Sequence, residues 1–142
     1  MDIRRRVQKL VKKYKSSDPF YLIDCLNIIC LKHPLSRNIR GFYFTKLRRK
    51  IVVINAIYDE RRQVVTAAHE LGHCLFHPAT NVLFLERNTL LLPSKYENEA
   101  NKFAVELLTY DMDIKEYEDC TVEQIACARH IPVELMKMRC KV

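Results

Sequence analysis

The chain has 142 residues, with 24 Lys/Arg against 17 Asp/Glu for a formal net charge of +7, and 49% hydrophobic and 29% charged residues. That length and balance suit one domain, residues 1–142, with a core of its own, and exclude a disordered or fibrous chain. No apolar run approaches the ~20 residues that cross a bilayer. Met1-Asp2-Ile3-Arg4-Arg5-Arg6 opens an amphipathic pattern rather than a signal-peptide core, so the expected location is the cytoplasm, with no membrane partner.

In chain order, Ile3, Val7, Leu10, Val11 and Tyr14 recur at helical spacing among Arg4, Arg5, Arg6, Lys9, Lys12 and Lys13, which predicts a basic helix within residues 1–16 that buries one stripe. Asp18-Pro19 is an N-cap followed by a first-turn proline, for a helix through about Asn27. Ile28 to His33, Gly41 to Thr45 and Lys50 to Asn55 are apolar and β-prone, and predict a small sheet of three strands, the last two joined across the basic Lys46-Leu47-Arg48-Arg49. Asp59 and Glu60 suit the positive end of the next helix, which should finish near His77 because Pro78 follows.

Residues 79–95 hold the apolar runs Val82-Leu83-Phe84-Leu85 and Leu90-Leu91-Leu92, a loop or short strand that could lie over a site. Ser94 is a cap for a helix whose stripe is Ala100, Phe103, Ala104, Leu107 and Leu108. Thr121 caps the first of two short C-terminal helices, within residues 121–142 and ending at about Cys127, and Pro132 to about Cys140 forms the second. Val133, Leu135, Met136 and Met138 there resemble packing residues, and no basic recognition helix follows, so the pair is not read as a DNA-reading helix-turn-helix.

The six cysteines, at 25, 30, 74, 120, 127 and 140, have no C-x-x-C spacing. Cys25, Cys30, Cys74 and Cys127 lie among apolar residues and are expected to be small buried hydrophobes. Charge is unevenly spread: residues 1–50 carry fourteen Lys/Arg against three Asp/Glu, and the remainder ten against fourteen. Such a basic third can steer an acidic partner or simply stay solvated; direct binding of nucleic acid is not expected.

The most informative stretch is Thr66-Ala67-Ala68-His69-Glu70-Leu71-Gly72-His73-Cys74. Random order would give His-Glu-x-x-His in roughly one such chain in a hundred, so the setting has to carry it. Val64, Ala68, Leu71 and Leu75 form a helical apolar stripe, while Thr66, His69, Glu70, His73 and His77 share another face. Residues four apart on a helix point the same way, so His69 and His73 can share one metal ion, and Glu70 on the edge of that face can act as a base without ligating it. Gly72 costs about 1 kcal/mol relative to alanine inside a helix, which implies that something approaches its backbone closely.

Catalytic zinc takes three protein ligands. His77 falls four residues after His73 but about 12 Å along the axis from His69, so it reads as a helix-end cap or a group behind a ligand rather than a ligand. Glu97 and Glu99 are the carboxylate candidates, and they point roughly 200° apart, so only one can face the metal. Glu97 is favoured because it shares a face with Asn101, which could hydrogen-bond a ligand imidazole.

These two motifs, Ala68-His69-Glu70-Leu71-Gly72-His73 preceded by Ile51-Val52-Val53-Ile54-Asn55, and Glu97-x-Glu99-Ala100-Asn101-x-Phe103-Ala104-x-Glu106-Leu107-Leu108, resemble those of the ImmA/IrrE metallopeptidases, chiefly over residues 40 to 110. The resemblance implies an α+β, zincin-like fold, a small sheet packed with the His-Glu-x-x-His helix and several further helices. It implies zinc on His69, His73 and Glu97, with Glu70 as base. Members typically cleave helix-turn-helix repressors of phages, mobile elements or stress loci, so the implied activity is that of an endopeptidase and the implied partner is such a repressor. The chain departs from the family in having Thr109-Tyr110 where Met-Pro or a similar pair usually follows Leu-Leu.

On this reading Glu70 moves the proton from attacking water to leaving amine, and Tyr96, His77 or Tyr58 could donate to the oxyanion. A rival reading, a metal-stabilised regulator that sequesters the repressor without cutting it, shares fold and metal. A third, a nucleic-acid binder using the basic first third, requires affinity that falls steeply with salt.

Overall fold

A computed structural model describes residues 1–77 and 92–141, the backbone alone for 92–94. The runs Val82 to Leu85 and Leu90 to Leu91 lie outside the described residues. Helix α1, Ile3–Tyr14, starts where Asp2 accepts a hydrogen bond from the Arg5 amide, and closes at Lys15 in the left-handed region, φ 55°. It buries Ile3, Val7 and Val11. Helix α2, Pro19–Cys25, is capped by Asp18 and is shorter than its pattern suggests, because Asn27 turns left-handed at φ 58° and releases Ile28 toward the sheet.

Strands β1, Ile29–His33, β2, Gly41–Lys46, and β3, Arg49–Asn55, form one sheet in the order β1-β3-β2. β1 runs parallel to β3, with Cys30 opposite Val52, and β2 antiparallel to it, with Tyr43 also opposite Val52. The link between β2 and β3 is tighter than the four basic-rich residues suggested: Leu47 and Arg48, both at positive φ, make a two-residue hairpin turn whose twist matches the strands. β3 is central and buries Val52, Val53, Ile54 and Asn55, with β1 and β2 on either side of it.

Helix α3, Glu60–Phe76, is capped by Asp59 and lies against β2 and β3 on one side and helix α4, Leu92–Leu108, on the other. α4 begins at Leu92, so Ser94 lies inside its first turn rather than capping it. Being covered on both sides, α3 buries Ala68 and Leu71 but also Thr66, Glu70 and His73 from its polar face, while Val64 and Leu75 stay half-buried. A short 3₁₀ turn, Ile114–Tyr117, leads to α5, Val122–Arg129, opened by a reciprocal Thr121–Gln124 capping box, and α6, Val133–Cys140.

Two apolar clusters meet along α4. One joins α1, α2, the sheet and α3 through Leu22, Ile54, Leu71 and Phe103. The other packs Val105 against Ile125, Ile131, Leu135 and Met136, so the C-terminal pair is a lid on the core. All six cysteines are free thiols. Cys74 is buried, and burial first, then the nearby Glu70 charge, pushes its thiol up to about 12. Cys127 is exposed, against expectation, because α5 turns Ile125 and Ala126 inward and one further residue rotates about 100° out.

Both glycines mark close approaches. A Cβ at Gly41 would stand 2.7 Å from the Thr66 methyl and from the Val53 carbonyl oxygen, so β2 touches α3 only because position 41 has no side chain. A Cβ at Gly72 would meet the Ala100 Cα and the Phe103 Cβ at 3.2 Å, which draws α4 onto α3.

Candidate metal centre

That approach sets the site. The four-residue spacing on α3 brings the His69 and His73 Nε2 atoms to 3.1 Å from each other. From α4, Glu97 places Oε2 3.1 Å from His69 Nε2 and Oε1 2.8 Å from His73 Nε2. Glu99 stands apart, its Oε1 3.9 Å from His77 Nε2. The three side chains grade from closed to open: His73 is 1% exposed, His69 18% and Glu97 37%.

The donors suit a shared cation. Tetrahedral zinc with bonds of 2.0–2.1 Å separates its ligand atoms by about 3.3 Å, and the three separations here need only a slight opening to reach it. Two imidazoles and a carboxylate form a group able to hold a metal, with one side left to solvent. Without an ion the same atoms pair with one another. Burial would raise the Glu97 carboxyl, but its hydrogen bonds to His69 and His73 outweigh that and hold it well below the usual range. Burial likewise opposes charge on His69, yet the Glu97 hydrogen bond and the Glu70 and Glu97 charges hold its pKa above the ordinary value, and a hydrogen bond that the ring donates to the Asn101 amide oxygen adds to the shift.

Behind His73 lies a buried support. His73 Nδ1 is 3.0 Å from His77 Nδ1, so one nitrogen carries the proton and the other accepts it. If His73 offers its Nε2 lone pair to a cation, its Nδ1–H donates and His77 accepts, which leaves the proton of His77 on Nε2. Burial, then the His73 charge, lowers the His77 pKa, consistent with a neutral acceptor. His77 ends α3, where its amide donates to the His73 carbonyl at 2.7 Å. The Tyr43 ring stacks on His73 at 5.2 Å, and its hydroxyl donates to the His77 carbonyl at 2.9 Å.

A cleft of about 430 Å³ opens over these groups, walled by Gly41, Phe42 and Tyr43 of β2, by Thr66, His69, Glu70 and His73 of α3, by Glu97 and Asn101, and by Pro132 and Leu135. Glu70 is buried and faces the same space. None of the three proposed oxyanion donors lines this cleft: Tyr96 leans over the His77 ring at 4.1 Å, His77 sits behind His73, and the Tyr58 hydroxyl donates to the Arg37 carbonyl. Sequence reasoning missed Tyr43 and Asn55. Asn55, fully buried at the end of β3, accepts from the Leu35 and Ile57 amides and donates to the carbonyls of Ser36 and Ile39 at 3.0 and 2.7 Å. A polar residue closing an apolar strand was its one visible signal.

A small mixed sheet beside a His-Glu-x-x-His helix, with a carboxylate delivered by the next helix, is the layout of a zincin-like metallopeptidase domain. The chain belongs to the peptidase M78 family, the IrrE N-terminal-like domain, whose model matches residues 25–141. It is 39% identical over 139 residues, 96% of this chain and 88% of the relative, to "uncharacterized immunity region protein 2" of Bacillus phage phi105. It is 27% identical over 135 residues, 92% of this chain and 79% of the relative, to the metallopeptidase ImmA of Bacillus subtilis strain 168. No helix among the described residues is long and apolar enough to cross a membrane.

Proposed function

We propose that the protein is a zinc-dependent endopeptidase that hydrolyses a peptide bond in a helix-turn-helix repressor and so relieves repression of a phage, mobile element or stress regulon. The observation that carries the peptidase reading is the convergence of His69, His73 and Glu97 beside buried Glu70 in an open cleft. Relatives named for a phage immunity region and as a metallopeptidase support the regulatory setting.

His69 Nε2, His73 Nε2 and a Glu97 oxygen would hold the ion. Zinc there supplies Lewis acidity, enough to bring the pKa of a water toward neutrality and to polarise a carbonyl. Glu70 takes the proton from the attacking water and delivers it to the leaving amine. Asn101 orients His69, and His77 fixes the proton of His73 on Nδ1. An extended substrate peptide lies along the cleft wall formed by Gly41, Phe42 and Tyr43 of β2, where contacts to its backbone leave specificity to side-chain pockets.

The test is Glu70→Gln, assayed with purified protein against whichever helix-turn-helix protein is encoded beside it. Metal content and repressor binding are expected to persist while cleavage falls by about 10²- to 10⁴-fold, the usual worth of a general base. Undiminished derepression by that variant would leave sequestration as the function.

A further inference from the structure

The cleft does not end at the metal. Arg40, Val65, Thr66 and Pro132 line both it and a second pocket of about 730 Å³, between the first turns of α3 and the α5–α6 junction, so the two spaces adjoin. The floor of this pocket is apolar, from Val65, Ala126, Ile131 and Val133. Its rim carries Arg40, Arg61, Arg62 and His130 against Asp59 and Glu123.

The charges there do not cancel. Asp59 is engaged with Arg62, accepting from its amide at 2.9 Å and pairing with its Nε at 3.8 Å. Arg61 Nη1 is 2.8 Å from His130 Nδ1. A guanidinium only donates, so that imidazole accepts, and the Arg61 charge stays unneutralised by it. Arg40 is exposed and has no side-chain hydrogen bond or ion pair among the described residues.

Nor is Arg40 on a loose loop. Its carbonyl accepts from the Asn55 amide at 2.9 Å, and the Asn55 side chain ties down Leu35, Ser36 and Ile39 just before it. Along α3, Thr66 and Arg62 precede His69 by about 4.5 and 10.5 Å at 1.5 Å per residue. An extended peptide at about 3.3 Å per residue covers these distances in about one and three residues.

We infer that Arg40, assisted by Arg61, forms a substrate subsite for an aspartate or glutamate side chain one to three residues from the scissile bond. The carboxylate meets the guanidinium groups, and the side-chain methylenes and flanking residues meet the apolar floor. This rests on the peptidase reading for the cut, but the binding preference is independent of it.

Affinity selection of a random decapeptide library on zinc-loaded Glu70→Gln protein, read by mass spectrometry, tests it. Acidic residues are expected to be enriched about tenfold over their amide counterparts. Adding Arg40→Glu should abolish that enrichment in favour of lysine, and adding Arg40→Gln should erase it without reversal. Equal selection by all three proteins, or no acidic enrichment, overturns the subsite. Cleavage of the selected peptides by the wild type should fall one to three residues from the acid. Selected acidic peptides that are never cut would sink the peptidase reading while leaving the subsite standing, and cuts at random distances would overturn the assigned position.

Discussion

Of the three carboxylates on helix α4, Glu97 and Glu106 have partners that differ in kind. Glu106 is 9% exposed and takes Nε and Nη2 of Arg4 at 3.1 and 3.2 Å, with Arg139 Nε 3.9 Å away. Glu97 faces two imidazoles. A guanidinium keeps its charge at any pH the fold survives, so Glu106 is a clamp that ties α1 and α6 to α4. Imidazole charge is conditional, and each ring keeps a lone pair that a cation can claim. The same residue type on the same helix is thus structural where its partner is permanent and available for chemistry where its partner is exchangeable.

Breaking the exchangeable side should have the larger effect. Glu97→Gln is expected to lower zinc affinity by at least about 100-fold, more than the loss of a residue that only supports a ligand. Competition with a chromogenic chelator measures this, and wild-type affinity in that variant would remove Glu97 from the ligand set. Breaking the permanent side should show in stability instead. Glu106→Gln is expected to cost about 2 kcal/mol in urea unfolding, less than a fully buried pair because Arg4 is half exposed, with zinc affinity within about threefold of wild type.

A smaller effect should follow from Gly72→Ala. Overpacking against Ala100 and Phe103 costs about 1–3 kcal/mol, offset by about 1 kcal/mol of helix propensity. By pushing Glu97 away from the histidines, the variant should weaken zinc binding more than its stability loss would suggest. The smallest effect is that of pH. His69 holds its proton above the ordinary histidine pKa, and zinc must displace it. Zinc affinity should therefore rise by less than about tenfold between pH 6 and 7 and level off above the raised value. In the metal-free protein the signs separate. The depressed Glu97 contributes stability above its unfolded pKa and loses it in acid; the raised His69 contributes below about 6.5 and loses it as pH climbs past its folded value. The Tm of metal-free protein should thus peak between these limits, as a calorimetric pH series would report.

What could be read from the sequence was what depends on near neighbours. The helix caps at Asp18 and Thr121, the α3 face with His69 and His73, and the placement of Glu97 and Asn101 on one face of α4 toward His69 all follow from spacings of four residues or fewer. The close approach at Gly72 was legible because a glycine inside a helix needs a reason. Contacts that cross the fold were not. Tyr43 reaches His77 across 34 residues and Asn55 gathers residues 35–39 from 16 to 20 positions away, distances at which periodicity is silent. Cys127 was misread because apolar neighbours in sequence are not neighbours around a helix.

The chain has two glycines, one in β2 where that strand meets α3 and one in α3 where that helix meets α4. The widths of the cleft are therefore set by two missing methyl groups, much as a machinist's shim sets a gap. A saturation library should return glycine at 41 and 72 under any selection for activity, while rim positions such as 40 vary freely with the substrate. Changes of specificity then have one route: the rim is re-cut and the gap is left alone.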